Sequence, residues 1–244
     1  MPRRGLPLLA LGALLAAAAC ASPVSEPLPS PAIDAAHPSA LRYVALGDSY
    51  TIGTSVAQED RWPDQLVSRL AAAPPPDATL ELVANHAVNG YTAGTVVRQE
   101  LPRLDADAPI GFVTLLAGVN DVVQGVPDAT YRADVDTILA DLLGRLPPDR
   151  ILCVETPDYT VTPQGAAFGD PVTQRAGIVR NNGILRERCE AAGIRFVDGI
   201  VAISQDAATD RTLVASDGLH PSGAQYRRWV IERIEPAVRE LLGG

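Results

Sequence analysis

From residue 41 onward the chain alternates short, nearly continuous apolar runs with longer stretches whose apolar residues recur every three or four positions. No other property narrows the fold as much. The runs Leu41–Gly47, Leu80–Ala84, Ile110–Ala117, Arg150–Thr156 and Ile194–Val197 predict strands, and the first is apolar enough to be covered on both faces. Between them, Trp62, Leu66 and Leu70 behind Pro63 predict one helix, and Val135, Ile138, Leu139, Leu142 and Leu143 a second. Ile178, Leu185 and Cys189 mark another, and Trp229 to Leu242 the last. Alternating strands and helices joined by short loops imply a parallel sheet between two helix layers, in which every strand-to-helix loop opens on the same edge.

The 244 residues, 47% of them hydrophobic, suffice for one α/β domain, and no shift in composition marks a second. The first twenty residues stand apart. Arg3 and Arg4 precede an apolar run from Leu6 to Ala19 that ends in small residues and Cys20, which is the pattern of a secretory signal. Cys20 after Ala17-Ala18-Ala19 resembles the lipobox of bacterial lipoproteins, where such a cysteine is lipidated, although Ala17 stands where that site usually carries Leu. The expectation is an exported protein, either a cell-envelope lipoprotein tethered through an N-terminal lipid or a secreted or periplasmic form cleaved near Ala19 or Ala21. Residues 21–40 carry five prolines among Ser and Ala and read as a disordered linker, leaving 41–244 as the domain. No later apolar run is long enough to span a bilayer.

Charge and residue type exclude several functions. The net charge is −9, and removing residues 1–20 takes away two arginines and no acid, so the remainder is more acidic still. Such a surface repels phosphate backbones, which argues against nucleic acid as a partner. All twenty basic residues are Arg, and the absence of lysine removes a P-loop lysine, a Schiff base and a Ser-Lys dyad together. Three Cys and three His without Cys-x-x-Cys or His-Glu-x-x-His give a metal site no support, and no cofactor is expected. Cys153 and Cys189 could pair in an oxidising compartment or serve as small buried hydrophobes, the reading favoured here.

The first predicted strand ends in Gly47-Asp48-Ser49-Tyr50-Thr51-Ile52-Gly53, where Gly47 permits a hard turn and Ser49 falls just beyond the sheet. Serine becomes a nucleophile only when a base takes its proton, normally a histidine held by a carboxylate. His37 lies in the linker and His86 in a loop, where it reads as a hydrogen-bonding residue. His220 follows Asp217 by three residues and precedes a helix, which makes it the candidate base. Two further polar loops follow strands: Asn85 to Thr92, and Ala117-Gly118-Val119-Asn120-Asp121. All four motifs fall on one sheet edge.

These residues resemble the SGNH hydrolases, also called the GDSL esterase/lipase family, across Arg42 to Leu242. Gly47-Asp48-Ser49-Tyr50 is similar to the family's first block, with Tyr50 in place of Leu; Gly90 matches the second, Gly118-Val119-Asn120-Asp121 the third and Asp217-Gly218-Leu219-His220-Pro221 the last. The resemblance implies a flavodoxin-like three-layer α/β/α sandwich with a five-stranded parallel sheet, and a serine hydrolase acting on carboxylic esters through an acyl-enzyme. It implies Ser49, Asp217 and His220 as the triad, with the N–H groups of Ser49 and Gly90 and the amide of Asn120 as oxyanion donors. Short-chain acyl esters, lysophospholipids and acetylated glycans all fit as small-molecule or lipid substrates. Asp48 and Asp121 read as structural, and Ser222-Gly223-Ala224-Gln225 as a capping box that starts the last helix.

Two further expectations come from the residues. The hydroxyl-rich Ser49-to-Thr54 loop also resembles a flavodoxin phosphate loop, so a flavin- or phosphate-binding module without hydrolase activity is the alternative. The loop from Pro157 to Pro171 is long for its position and carries Tyr159, Val161 and Phe168, which predicts that Tyr159 and Phe168 help to bind substrate, against the alternative that they only anchor the loop.

Overall fold

A computed structural model of the chain describes residues 39–243. The expected signal, Cys20, His37 and nearly all of the proline-rich segment therefore lie outside the described residues. Strand β1 (Ser39–Gly47) begins two residues before the expected Leu41. The others are β2 (Ala78–Asn85), β3 (Phe112–Leu116), β4 (Ile151–Val154) and β5 (Arg195–Val197). They form one parallel sheet in the order β2-β1-β3-β4-β5, the flavodoxin-like winding. The fold is the expected α/β sandwich.

Period-two alternation sorts the strand side chains between the layers. Tyr43 and Ala45 of β1 face one side, with Phe112 and Leu116 of β3 and Val154 of β4. Against them pack the helices α1 (Ser49–Ile52) and α2 (Trp62–Ala72), the latter through Trp62, Leu66 and Leu70. On the opposite side Val44, Leu46, Val113, Leu115, Ile151 and Cys153 meet α3 (Ala93–Thr95), α4 (Leu104–Asp107) and, after the short α5 (Val119–Val123), α6 (Asp128–Arg145) and α7 (Pro171–Ala191). Helices α8 (Ile200–Gln205), α9 (Gly223–Trp229) and α10 (Glu235–Leu241) complete the first layer. Among the described residues no helix is long and apolar enough to cross a membrane.

Three departures from the sequence reading have local causes. Residues 93–107 form a helical stretch that the periodicity did not show, because a π turn at Val96–Glu100 and a 3-10 turn at Leu101–Arg103 interrupt the 3.6-residue repeat. The last helix starts at Gly223, where the Ser222 cap puts it and ahead of the apolar run from Trp229, but it is broken by a π turn, Val230–Ile234. Only half of the capping box forms. Ser222 Oγ accepts from Gln225 N–H, but the Ser222 N–H donates to Leu213 O at 2.9 Å, so the glutamine has no donor to reach back to. Cys153 and Cys189 are buried thiols that form no disulfide, and burial, then the neighbouring Cys189, pushes the Cys153 thiol up.

Candidate active site

The strand-to-helix loops meet at the carboxyl edge of the sheet. At the end of β1, Gly47 adopts φ +150°, and a Cβ there would lie 2.3 Å from Leu116 O and 2.7 Å from Thr51 Oγ1. Only glycine fits this turn. Asp48 then caps α1, its Oδ1 accepting from Tyr50 N–H at 3.0 Å, and Ser49 becomes the first helical residue. The nucleophile candidate is thereby held at the mouth of the sheet.

The second loop is fastened on three sides. Asn85 Nδ2 donates to Thr51 O at 2.9 Å, Thr54 Oγ1 donates to Asn89 Oδ1 at 2.5 Å, and Gln124 Nε2 donates to Gly90 O at 2.8 Å. Gly90 has φ +81°, and a Cβ there would meet no atom within 4 Å, so its backbone conformation, rather than crowding, calls for glycine. His86 contacts Asp107 through Nε2 at 2.5 Å and is a loop hydrogen-bonder, as its setting suggested.

Asn120 sits in α5, with Nδ2 donating to Tyr91 O at 3.0 Å and making a longer 3.4 Å contact with Asp48 Oδ2. Asp121 Oδ2 accepts from Ala93 N–H at 3.0 Å. Asp48 and Asp121 thus bond backbone amides in the first turns of α1 and α3. Burial pushes Asp48 up to about 7, aided by the nearby Asp121 charge and opposed by the bonds from Tyr50 and Asn120. Burial likewise raises Asp121 to about 6.

The last loop closes on itself. Ala215 N–H donates to His220 O at 2.8 Å, and Val214 bridges to Pro221, which narrows residues 214–221 into a small hairpin. Inside it Asp217 Oδ1 accepts from the N–H groups of Leu219 and His220 at 2.8 and 3.0 Å, while Oδ2 lies 2.6 Å from His220 Nδ1. Desolvation alone would raise Asp217; the bonds from His220, from Leu219 N–H and from Ser55 outweigh it and hold the carboxyl at about 2. With Nδ1 turned to the carboxylate, Nε2 is the nitrogen left for chemistry.

Ser49, Gly90, Asn120 and His220 all line one cavity of about 210 Å³, together with Tyr50, Asn89, Val119, Val123, Tyr159, Phe168 and Leu219. Tyr159 and Phe168 both reach it, their rings edge to face at 5.5 Å. Tyr159 is also tied down by its hydroxyl, which donates to Gln174 Oε1, so it is wall and anchor at once. The long loop is stitched to the last one by Gln164 N–H donating to Gly218 O at 2.9 Å. Sequence reasoning missed Tyr50, whose buried ring lies 5.5 Å from the His220 imidazole, and the apolar residues Val119, Val123 and Leu219. Val119 and Val123 lie one helical turn apart in α5, a spacing that could have pointed to them. The phosphate-loop alternative loses one of its hydroxyls, because Thr54 Oγ1 donates to Asn89 Oδ1.

Comparison with known proteins agrees with this geometry. No curated protein sequence matches the chain. TesA is similar in structure at a TM-score of 0.61 and 18% identity, over 82% of this chain and 99% of that one. A lipase/acylhydrolase from Enterococcus faecalis follows at 0.60 and 19%, over 83% and 97%. An acetyl xylan esterase from Geobacillus stearothermophilus gives 0.58 and 18%, over 84% and 96%. At these identities the likeness concerns the fold. The family model described as GDSL-like Lipase/Acylhydrolase matches residues 45–228, from the middle of β1 to the last helix and through all four loops, and the chain belongs to that family.

Proposed function

We propose that the ester hydrolysis expected of this family runs here through Ser49 as nucleophile, His220 as general base and Asp217 as its orienting carboxylate. One observation carries the reading: Ser49, His220, Gly90 and Asn120 line a single cavity while Asp217 grips the far nitrogen of the imidazole. Nδ1–H donates to Asp217, so Nε2 carries the lone pair that takes the Ser49 proton as Oγ attacks the acyl carbonyl. The imidazolium then gives that proton to the departing alcohol, and water repeats the cycle on the acyl-enzyme. The N–H groups of Ser49 and Gly90 and one N–H of Asn120 are the donors to the oxyanion in this reading, Asn120 by giving up its long contact with Asp48. Of the two Asn120 N–H groups, the one making the long contact with Asp48 is the more weakly held.

The substrate reading follows from the walls. Val119, Val123, Phe168 and Leu219 offer an acyl chain an apolar bed, and about 210 Å³ suits a short to medium chain on a neutral ester. The N-terminal pattern of arginines, apolar run and Cys20 supports an exported or envelope-tethered enzyme. The test is a hydrolysis screen of p-nitrophenyl esters over acyl length, with Ser49→Ala as the blank. Turnover should be abolished by Ser49→Ala, and Phe168→Ala should change the ranking of chain lengths while sparing the acetyl ester. Wild-type turnover by Ser49→Ala would overturn the mechanism; an equal loss on all chain lengths with Phe168→Ala would reduce that side chain to an anchor.

A further inference from the structure

Between α1 and α2 the chain presents two adjacent hydroxyls that reach in different directions. Thr54 Oγ1 donates to Asn89 Oδ1 at 2.5 Å, next to Gly90; Ser55 Oγ donates to Asp217 Oδ2 at 2.7 Å, across 162 residues of sequence. Ser55 is the one non-glycine residue with positive φ among the described residues, at +67°. That conformation disfavours a side chain, so Ser55 is held there by what surrounds it, and its hydroxyl bond is the compensating contact.

The Asp217 carboxylate has its Oδ1 fixed by two backbone N–H groups. Its Oδ2 has two side-chain partners, the His220 imidazole and Ser55. Without the hydroxyl, Oδ2 would be steadied only by the imidazole that it is meant to steady. We infer that Ser55 is a positioning residue, whose hydroxyl locks Asp217 Oδ2 so that His220 is held toward Ser49, and that Thr54 couples the same segment to the Gly90 loop. The strap therefore sets the base and the oxyanion loop relative to one another from a single turn of chain. This rests on the Ser49–His220–Asp217 reading above.

The test compares Ser55→Ala with Ser55→Gly, since both lack the hydroxyl while only glycine relieves the backbone. Two readouts are taken: steady-state hydrolysis of a p-nitrophenyl ester, and the low-field proton resonance of His220 Nδ1–H, which needs no turnover. Both variants should lower kcat about threefold to tenfold, the usual effect of one hydrogen bond, with KM unchanged. Both should also broaden the low-field resonance, while Ser55→Gly melts no lower than wild type. Wild-type kcat and an unaltered resonance in both variants would overturn the inference, as would a loss confined to Ser55→Ala, which would trace the effect to the backbone. If wild type hydrolyses no ester yet both variants disturb the resonance, the catalytic reading fails and the lock on Asp217 stands.

Discussion

Glu100 gives a prediction whose size can be worked from the structure. Its side chain is fully buried beneath the nucleophile turn, Oε2 accepts from Gly47 N–H at 2.9 Å, and Oε1 has no partner. Burial pushes its carboxyl up from 4.5 to about 9, with the Asp48 charge adding to the rise and the Gly47 bond opposing it. The unfolded chain releases this proton above its ordinary value, whereas the folded chain keeps it until about pH 9. The folded state binds more protons in that window, so stability falls as pH rises, by about 1.4 kcal/mol per pH unit. The contribution is whole below pH 4.5 and is lost as pH climbs toward 9. At pH 7.5, three units into the window, the loss is about 4 kcal/mol. Glu100→Gln keeps an acceptor for Gly47 and cannot ionise. The variant should match wild type near pH 4.5 and exceed it by about that amount at pH 7.5. Asp48 and Asp121 slope the same way but are present in both proteins and cancel in the difference. Urea unfolding from pH 4.5 to 9, followed by fluorescence of the buried Trp62 and Trp229, measures it. A difference between the two proteins that stays constant across that range would refute the reasoning, because it would mean that the folded state holds Glu100 charged.

Other substitutions test the site directly. Asn120→Ala should lower kcat by roughly 10²–10³ with little change in melting temperature, the result of removing one oxyanion donor, and both can be read on the same preparation. Asp217→Asn should sharply cut the rate without unfolding the chain, because it removes the acceptor that holds Nδ1–H in place; circular dichroism alongside kinetics checks this. Gly47→Ala should destabilise by about 2–4 kcal/mol, since its Cβ meets backbone oxygen and cannot relax by turning a side chain. Chemical denaturation tests that cost.

What the sequence by itself determined was local. Tyr43-Val44-Ala45-Leu46 announces a buried strand by its unbroken apolar run, and Gly47 announces its turn. Leu66 and Leu70 announce a helix face by spacing, and Asp217 and His220 announce their pairing because three residues of turn bring them together. Strand-to-helix alternation then placed Ser49, Gly90, Asn120 and His220 on one edge, since a parallel sheet leaves those loops nowhere else to open. Repeats of 2 and 3.6 residues are written into the order of the chain, and π turns blur them, which is why the stretch from Ala93 to Asp107 went unread. Tertiary structure alone decided which distant groups meet. Ser55 and Asp217 are 162 residues apart, Glu100 lies 53 residues beyond the Gly47 amide it receives, and Tyr50 meets His220 only because α1 and the last loop share a corner of the sheet. A serine in a turn and a glutamate in a helix are ordinary in composition, and only a close approach to a particular carboxylate or amide distinguishes them.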